Sequence, residues 1–255
     1  MRWAVFNQKG GVGKSTIVCN LAAVSAREGN RTLVVDLDPQ ANASHYLLGS
    51  DVEAADPNLA RFFEQTLGFN FFREGAKGFI HHTRFDNLHV MPSDIGLEEL
   101  QPKLEAKYKI YKLRDALAEV DGYDEIFFDT PPAFNVYTLS ALIAADRCLI
   151  PFDCDDFSQR ALYNLLESVD EVREDHNPKL RVGGIVVNQF QSRARLPRLL
   201  VEELVGEGLP ILEPYISASV KVRESHGACK PLPFLARSHK LTGQFEELFE
   251  TIQSV

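Results

Sequence analysis

Asn7-Gln8-Lys9-Gly10-Gly11-Val12-Gly13-Lys14-Ser15-Thr16 decides the fold, because an apolar run, Trp3 to Phe6, precedes it and a segment of helical spacing, Ile17 to Glu28, follows it. Strand, glycine loop and helix in that order make a cradle for phosphate. Gly10, Gly11 and Gly13 free the backbone to turn successive N–H groups, those of Val12 and Thr16 among them, inward on an anion. The positive end of the following helix adds to the attraction. Lys14 is placed to reach the outer phosphates as a point charge, and the Ser15 hydroxyl to ligate a Mg²⁺ that bridges them. A merely flexible turn also uses glycine, but not at this spacing between a strand and a helix.

Outward from this loop, apolar runs recur after helix-like segments: Trp3 to Phe6, Thr32 to Val35, Leu88 to Met91, Glu125 to Phe128, Arg147 to Pro151 and Val182 to Val187. Such alternation predicts an α/β fold, a mainly parallel twisted sheet with helices on both faces, whose ligands bind outside the carboxyl ends of the strands. Between Asp51 and Asn87 the pattern weakens into helices plus loop, with an aromatic-rich stretch from Phe62 to Phe72. Phe69, Phe71 and Phe72 there fit either core packing or a partner surface.

Two further strand ends carry acids. Val34-Val35-Asp36-Leu37-Asp38-Pro39-Gln40-Ala41-Asn42 sets two carboxylates where a strand stops, with Pro39 turning the chain. A carboxylate there can hold Mg²⁺ through water or position an attacking water; a plain turn that caps a helix is the alternative. Glu125-Ile126-Phe127-Phe128-Asp129-Thr130-Pro131-Pro132 ends a second apolar strand in an acid, the Walker B arrangement, so Asp129 is expected to accept from Ser15 or from a Mg²⁺-bound water.

The general P-loop pattern has glycine where this chain has Gln8, and a second lysine, Lys9, stands beside the loop. KGGVGKST resembles the deviant Walker A of the ParA/MinD family of P-loop NTPases. DxDPQxN and DTPP resemble that family's later motifs in the same order, and the resemblance runs from Trp3 to the Pro231 region. It implies a single ATPase domain over residues 1–255 that takes ATP and Mg²⁺ and forms an ATP-dependent homodimer. Lys9 would reach across that dimer to the partner's nucleotide, and Asp38 would position the hydrolytic water. Catalysis then rests on Lys9, Lys14 and Asp38, the nucleotide on residues 9–16, and the metal on Ser15, Asp38 and Asp129.

Less tightly, the resemblance makes Asn188, in Val186-Val187-Asn188-Gln189, the adenine contact, and sets Asp155 near the dimer interface. Ile216 to Glu224 corresponds to the family's IPRxVRxxE run, with Ser217 and Ala218 in place of its Pro-Arg. It further implies non-specific binding of double-stranded DNA, for which Arg193, Arg195, Arg198, Lys221 and Arg223 are the candidates, and stimulation by a ParB-like adaptor. The cargo is left open.

Composition bears on the alternatives. The net charge of −9 speaks against a generally basic nucleic-acid binder, yet 10 Lys or Arg face only 5 Glu between His176 and Lys240. No apolar run approaches a membrane span and no signal peptide opens the chain, so a cytoplasmic protein is expected, and the resemblance implies that it associates with the nucleoid. Four cysteines without a C-x-x-C pair indicate reduced thiols. MinD-like relatives end in a basic helix that lies on membranes; here the last helix carries Phe245, Leu248, Phe249 and Ile252 on one side and acids on the other, so it is expected to pack on the protein rather than on anionic lipid. A scaffold ATPase acting through protein partners without DNA, and a metabolic P-loop ligase, are the competing functions.

Overall fold

The computed structural model describes residues 1–68, 74–154 and 159–254; Phe69, Phe71, Phe72 and Asp155 lie outside them. The strands are β1 (Arg2–Val5), β2 (Thr32–Asp36), β3 (His81–His82), β4 (Leu88–Met91), β5 (Glu125–Asp129), β6 (Arg147–Asp153), β7 (Arg181–Asn188) and β8 (Ile211–Leu212). They form one sheet in the order β3-β4-β2-β5-β1-β6-β7-β8, parallel throughout except where β3 meets β4. The helices are α1 (Lys14–Arg27), α2 (Asn42–Leu48), α3 (Leu59–Leu67), α4 (Gly96–Ala106), α5 (Lys112–Leu117), α6 (Val136–Ala144), α7 (Gln159–Asp175), α8 (Arg195–Gly206), α9 (Val220–Gly227), α10 (Leu232–Leu235) and α11 (Lys240–Gln253). All six apolar runs became strands.

Each central strand is apolar on both sides because each side has its own helix layer. Ala4, Leu33, Val35, Ile126, Phe128, Ile150, Ile185 and Val187 pack with α3 to α8. Trp3, Val5, Val34, Phe127, Leu149 and Val186 pack with α1, α2 and α11. The period of two thus survives inside continuous hydrophobic runs, as in parallel sheets covered twice.

Helix α1 is buried nearly all round, and Ala22, Ala23 and Ala26 let its neighbours approach closely. Helix α11 lays Phe245, Leu248, Phe249 and Ile252, all buried, against the same layer, as its amphipathic pattern predicts. Phe62 and Phe63 of the aromatic stretch are core residues, edge-to-face with each other and with Phe79 and Tyr137. The four cysteines are free thiols, Cys19 and Cys148 buried, Cys154 and Cys229 half-buried.

Candidate nucleotide site

The glycine loop leaves β1 between β5 and β6, so the ends of several strands meet at it. Register sets Val5 beside Asp129 and Asp129 beside Asp36, which brings both acidic motifs to the same rim. Gly13 caps α1 with φ +91°, left-handed backbone that favours glycine. A Cβ on it would stand 2.2 Å from Asn188 Nδ2.

Three amides hold the loop. Asn7 Nδ2 donates to the Pro151 carbonyl at 2.7 Å, and its Oδ1 accepts the Lys9 N–H at 2.8 Å. Asn188 Nδ2 donates to the Val12 carbonyl at 2.8 Å, and Gln189 Nε2 to that of Gly11 at 3.1 Å. The ends of β6 and β7 therefore clamp the cradle in a fixed shape, which spares a ligand the entropy of ordering it.

Lys14 is buried and donates from Nζ to the Lys9 carbonyl at 3.0 Å. Burial lowers its pKa, while the charges of Asp129 and Asp38 pull the other way. The two acids after β2 have separate tasks. Asp36 is fully buried and takes Ser44 N–H at 2.8 Å, Ser44 Oγ at 2.7 Å and Asp38 N–H at 3.2 Å, so it fixes the start of α2 and the Asp38 turn. Asp38 Oδ1 accepts the Gln40 N–H at 3.0 Å, and the residue borders the phosphate-side cavity. Burial raises its pKa, opposed by that N–H and by Lys14.

Asp129 is fully buried, and neither carboxylate oxygen has a hydrogen-bond partner. Burial and then the charge of Asp36 hold its pKa well above the usual carboxylate range; Ser15 is near enough to favour the charged form without completing a hydrogen bond. A native interior seldom leaves such a group unsatisfied without a functional reason.

Two cavities adjoin the loop. One, of about 340 Å³, is bounded by Gly10, Gly11, Gly13, Lys14, Ser15, Thr16, Asp38, Gln40, Asn42, Pro132 and His226. The other, of about 490 Å³, runs from Gly11 and Thr16 past Asn188 and Gln189 to Ile216, Val220, Val222 and Phe245. The first brings the loop backbone, Lys14 and two hydroxyls together, suited to phosphates; the second offers apolar walls with an amide at one end, suited to a base. Asn188 lines this second cavity and gives one of its two amide hydrogens to the Val12 carbonyl.

Of the basic candidates, Arg193, Arg195, Arg198 and Arg223 are exposed, whereas Lys221 is paired with Glu224 at 2.8 Å. Arg193 and Arg223 border neighbouring cavities that share Ser217, Ala218 and Ser219. Sequence reasoning missed Asn7, Gln189 and His226. The first two stand within motif stretches and carry amides, a usable signal; His226 lies far along the chain from Thr16, whose hydroxyl it meets, and carries none.

Phosphate is what this rim is shaped to hold, and the proteins that place such a loop on such a sheet are the P-loop ATPases. Residues 2–182 match a family model described as an AAA domain. The chain is 35% identical to chromosome partitioning protein ParA of Myxococcus xanthus over 89% of this chain and 79% of that protein. It is 32% identical to the chromosome-partitioning ATPase Soj of Thermus thermophilus over 99% of this chain and 96% of that protein. Among solved structures, cobyrinic acid a,c-diamide synthase of Mycobacterium smegmatis with bound ADP and magnesium is similar at a TM-score of 0.82 and 27% identity, covering 98% of this chain and 93% of that one. The chain belongs to the ParA/Soj family of partitioning ATPases.

Proposed function

We propose that the chain, 1–255 acting as a single ATPase domain, is an ATP-dependent dimerising switch that binds DNA without sequence preference and positions or segregates a cargo. The observation that carries this reading is the buried, unpartnered Asp129 carboxylate below a cradle that holds Lys14 and Ser15. Hard oxygen groups of this kind suit Mg²⁺. Among the described residues no three His, Cys, Asp or Glu side chains cluster to cage a metal, which fits an ion held chiefly by phosphates and water, with Ser15 as ligand and Asp129 and Asp38 behind it. Bound there, Mg²⁺ would neutralise charge on the phosphate chain.

In this reading the N–H groups of residues 9–16 cradle the phosphates and Lys14 neutralises the outer ones. Asp38 holds a water in line, Asn188 meets adenine, and Lys9 completes the partner's site. The dimer then doubles the basic face of Arg193, Arg195, Arg198 and Arg223, with Lys221 beside it, so affinity for DNA falls steeply with salt. A ParB-like adaptor stimulates hydrolysis. The protein works in the cytoplasm on the nucleoid; no helix among the described residues is long and apolar enough to cross a membrane.

Asp38→Ala tests the cycle: with Mg-ATP it should sediment as a dimer, stay on DNA and release no phosphate. A monomer under those conditions refutes the switch. Arg195→Glu with Arg223→Glu should cut DNA retention while the dimer persists. The likeness to the diamide synthase favours a second reading, an ATP-dependent ligase whose substrate would sit in the cavity of about 460 Å³ beside Arg193, His239 and Lys240. Its signature is turnover that depends on a small carboxylate or amine and ignores DNA.

A further inference from the structure

His226 lies outside every motif of the nucleotide site, yet its side chain forms part of the wall of the phosphate-side cavity. Its ring stacks on Tyr46 with centroids 3.9 Å apart and planes 19° from parallel. Tyr46 is itself fixed by a 2.7 Å hydrogen bond between its hydroxyl and Ser225 Oγ. The stack holds the imidazole edge toward the site, and its Nε2 stands 2.9 Å from Thr16 Oγ1. One turn further along α1, Asn20 holds the Thr16 carbonyl at 2.8 Å and the Leu232 N–H at 2.8 Å, so two successive turns of one helix face grip the segment that carries His226.

We propose that His226 is a nucleotide-positioning residue, which acts through Thr16 by directing that hydroxyl's hydrogen toward a phosphate. The inference rests on reading the cavity as the phosphate end of a nucleotide site. Thr16 lies in the first turn of α1, where free backbone N–H groups and the helix dipole already favour an anion. A hydroxyl has one hydrogen and two lone pairs. When Nε2 carries a proton it donates to Oγ1, and the hydroxyl hydrogen is released to point into the cavity. When Nε2 is bare it takes that hydrogen, and Thr16 offers the phosphate only lone pairs. A nearby phosphate selects the first arrangement, and the Tyr46 stack keeps the ring where it can supply it.

The test is titration of a fluorescent ATP analogue, with Mg²⁺, into the full chain and four variants, each checked for an unchanged thermal midpoint. His226→Phe keeps the stack and loses Nε2; His226→Gln restores a donor near that position; Thr16→Val removes the hydroxyl; the fourth variant combines His226→Phe with Thr16→Val. Loss of a hydrogen bond to a charged ligand predicts about 10- to 150-fold weaker binding for Thr16→Val; His226→Phe, which keeps the hydroxyl but loses the neutral hydrogen bond that orients it, should bind about 4- to 10-fold more weakly. The Gln variant should bind within about 3-fold of wild type, and the double variant should be no weaker than the poorer single one. Wild-type affinity in His226→Phe, no rescue by Gln, or losses that multiply in the double variant would each overturn the proposal. Failure of the wild type itself to bind the analogue would instead strike down the nucleotide site on which it rests.

Discussion

Gly13→Ala puts the loop clamp to the sharpest test. The added methyl meets two separate obstacles: backbone at φ +91°, and Asn188 Nδ2 at 2.2 Å. Left-handed backbone costs a residue with a Cβ about 1–2 kcal/mol. To make room, the Asn188 amide must leave the Val12 carbonyl, and losing that buried hydrogen bond costs about 1–3 kcal/mol more. The total, about 2–5 kcal/mol, is a large part of the stability of an ordinary domain. Urea unfolding reads it as a lower midpoint at unchanged slope, and a fluorescent ATP analogue reads the accompanying loss of the phosphate cradle. Because the methyl already breaks the Asn188 bond, Asn188→Ala should add almost nothing in the Gly13→Ala background while costing about 1–3 kcal/mol alone. A loss below about 1 kcal/mol for Gly13→Ala, or full additivity of the two changes, would show that Asn188 does not hold this loop.

Other perturbations separate the remaining parts. Lys14→Ala should abolish nucleotide binding, whereas Lys9→Ala should keep it in the monomer and lose the ATP-dependent dimer in sedimentation; equal effects would erase the distinction between the two lysines. Phe245→Ala empties a fully buried site between α11 and the body and should cost about 3–5 kcal/mol in urea unfolding. Burial pushes Asp36 from its ordinary 3.8 up to about 7 against the pull of its Ser44 hydrogen bonds. A folded value above the unfolded one gives stability that is complete below the unfolded value and lost as pH rises through the folded one. The nucleotide-free protein should therefore melt lower at about pH 8 than at about pH 6, and Asp36→Asn should flatten the difference.

The sheet was legible because its six long strands are hydrophobic on both faces, a signal that needs no knowledge of neighbours. His81–His82 and Ile211–Leu212 escaped, since two residues carry no period and pair only through the strands already in place. The loop and the acids of β2 and β5 could be read because a motif at a strand end places its own side chains. Asp36 accepts three donors and braces the start of α2, a task visible only once Ser44 is seen to fold back on it. The amide clamp and His226 depend on which loops fold over which, with partners such as Val12 and Asn188 separated by most of the chain. Local pattern has no access to that.

The sheet's two outermost strands are each only two residues long. A margin that brief offers a visiting strand almost nothing to zip onto, so runaway stacking of copies into fibrils is blocked at both borders. A partner therefore finds its broadest surfaces on the loop-bearing rim and the helical flanks.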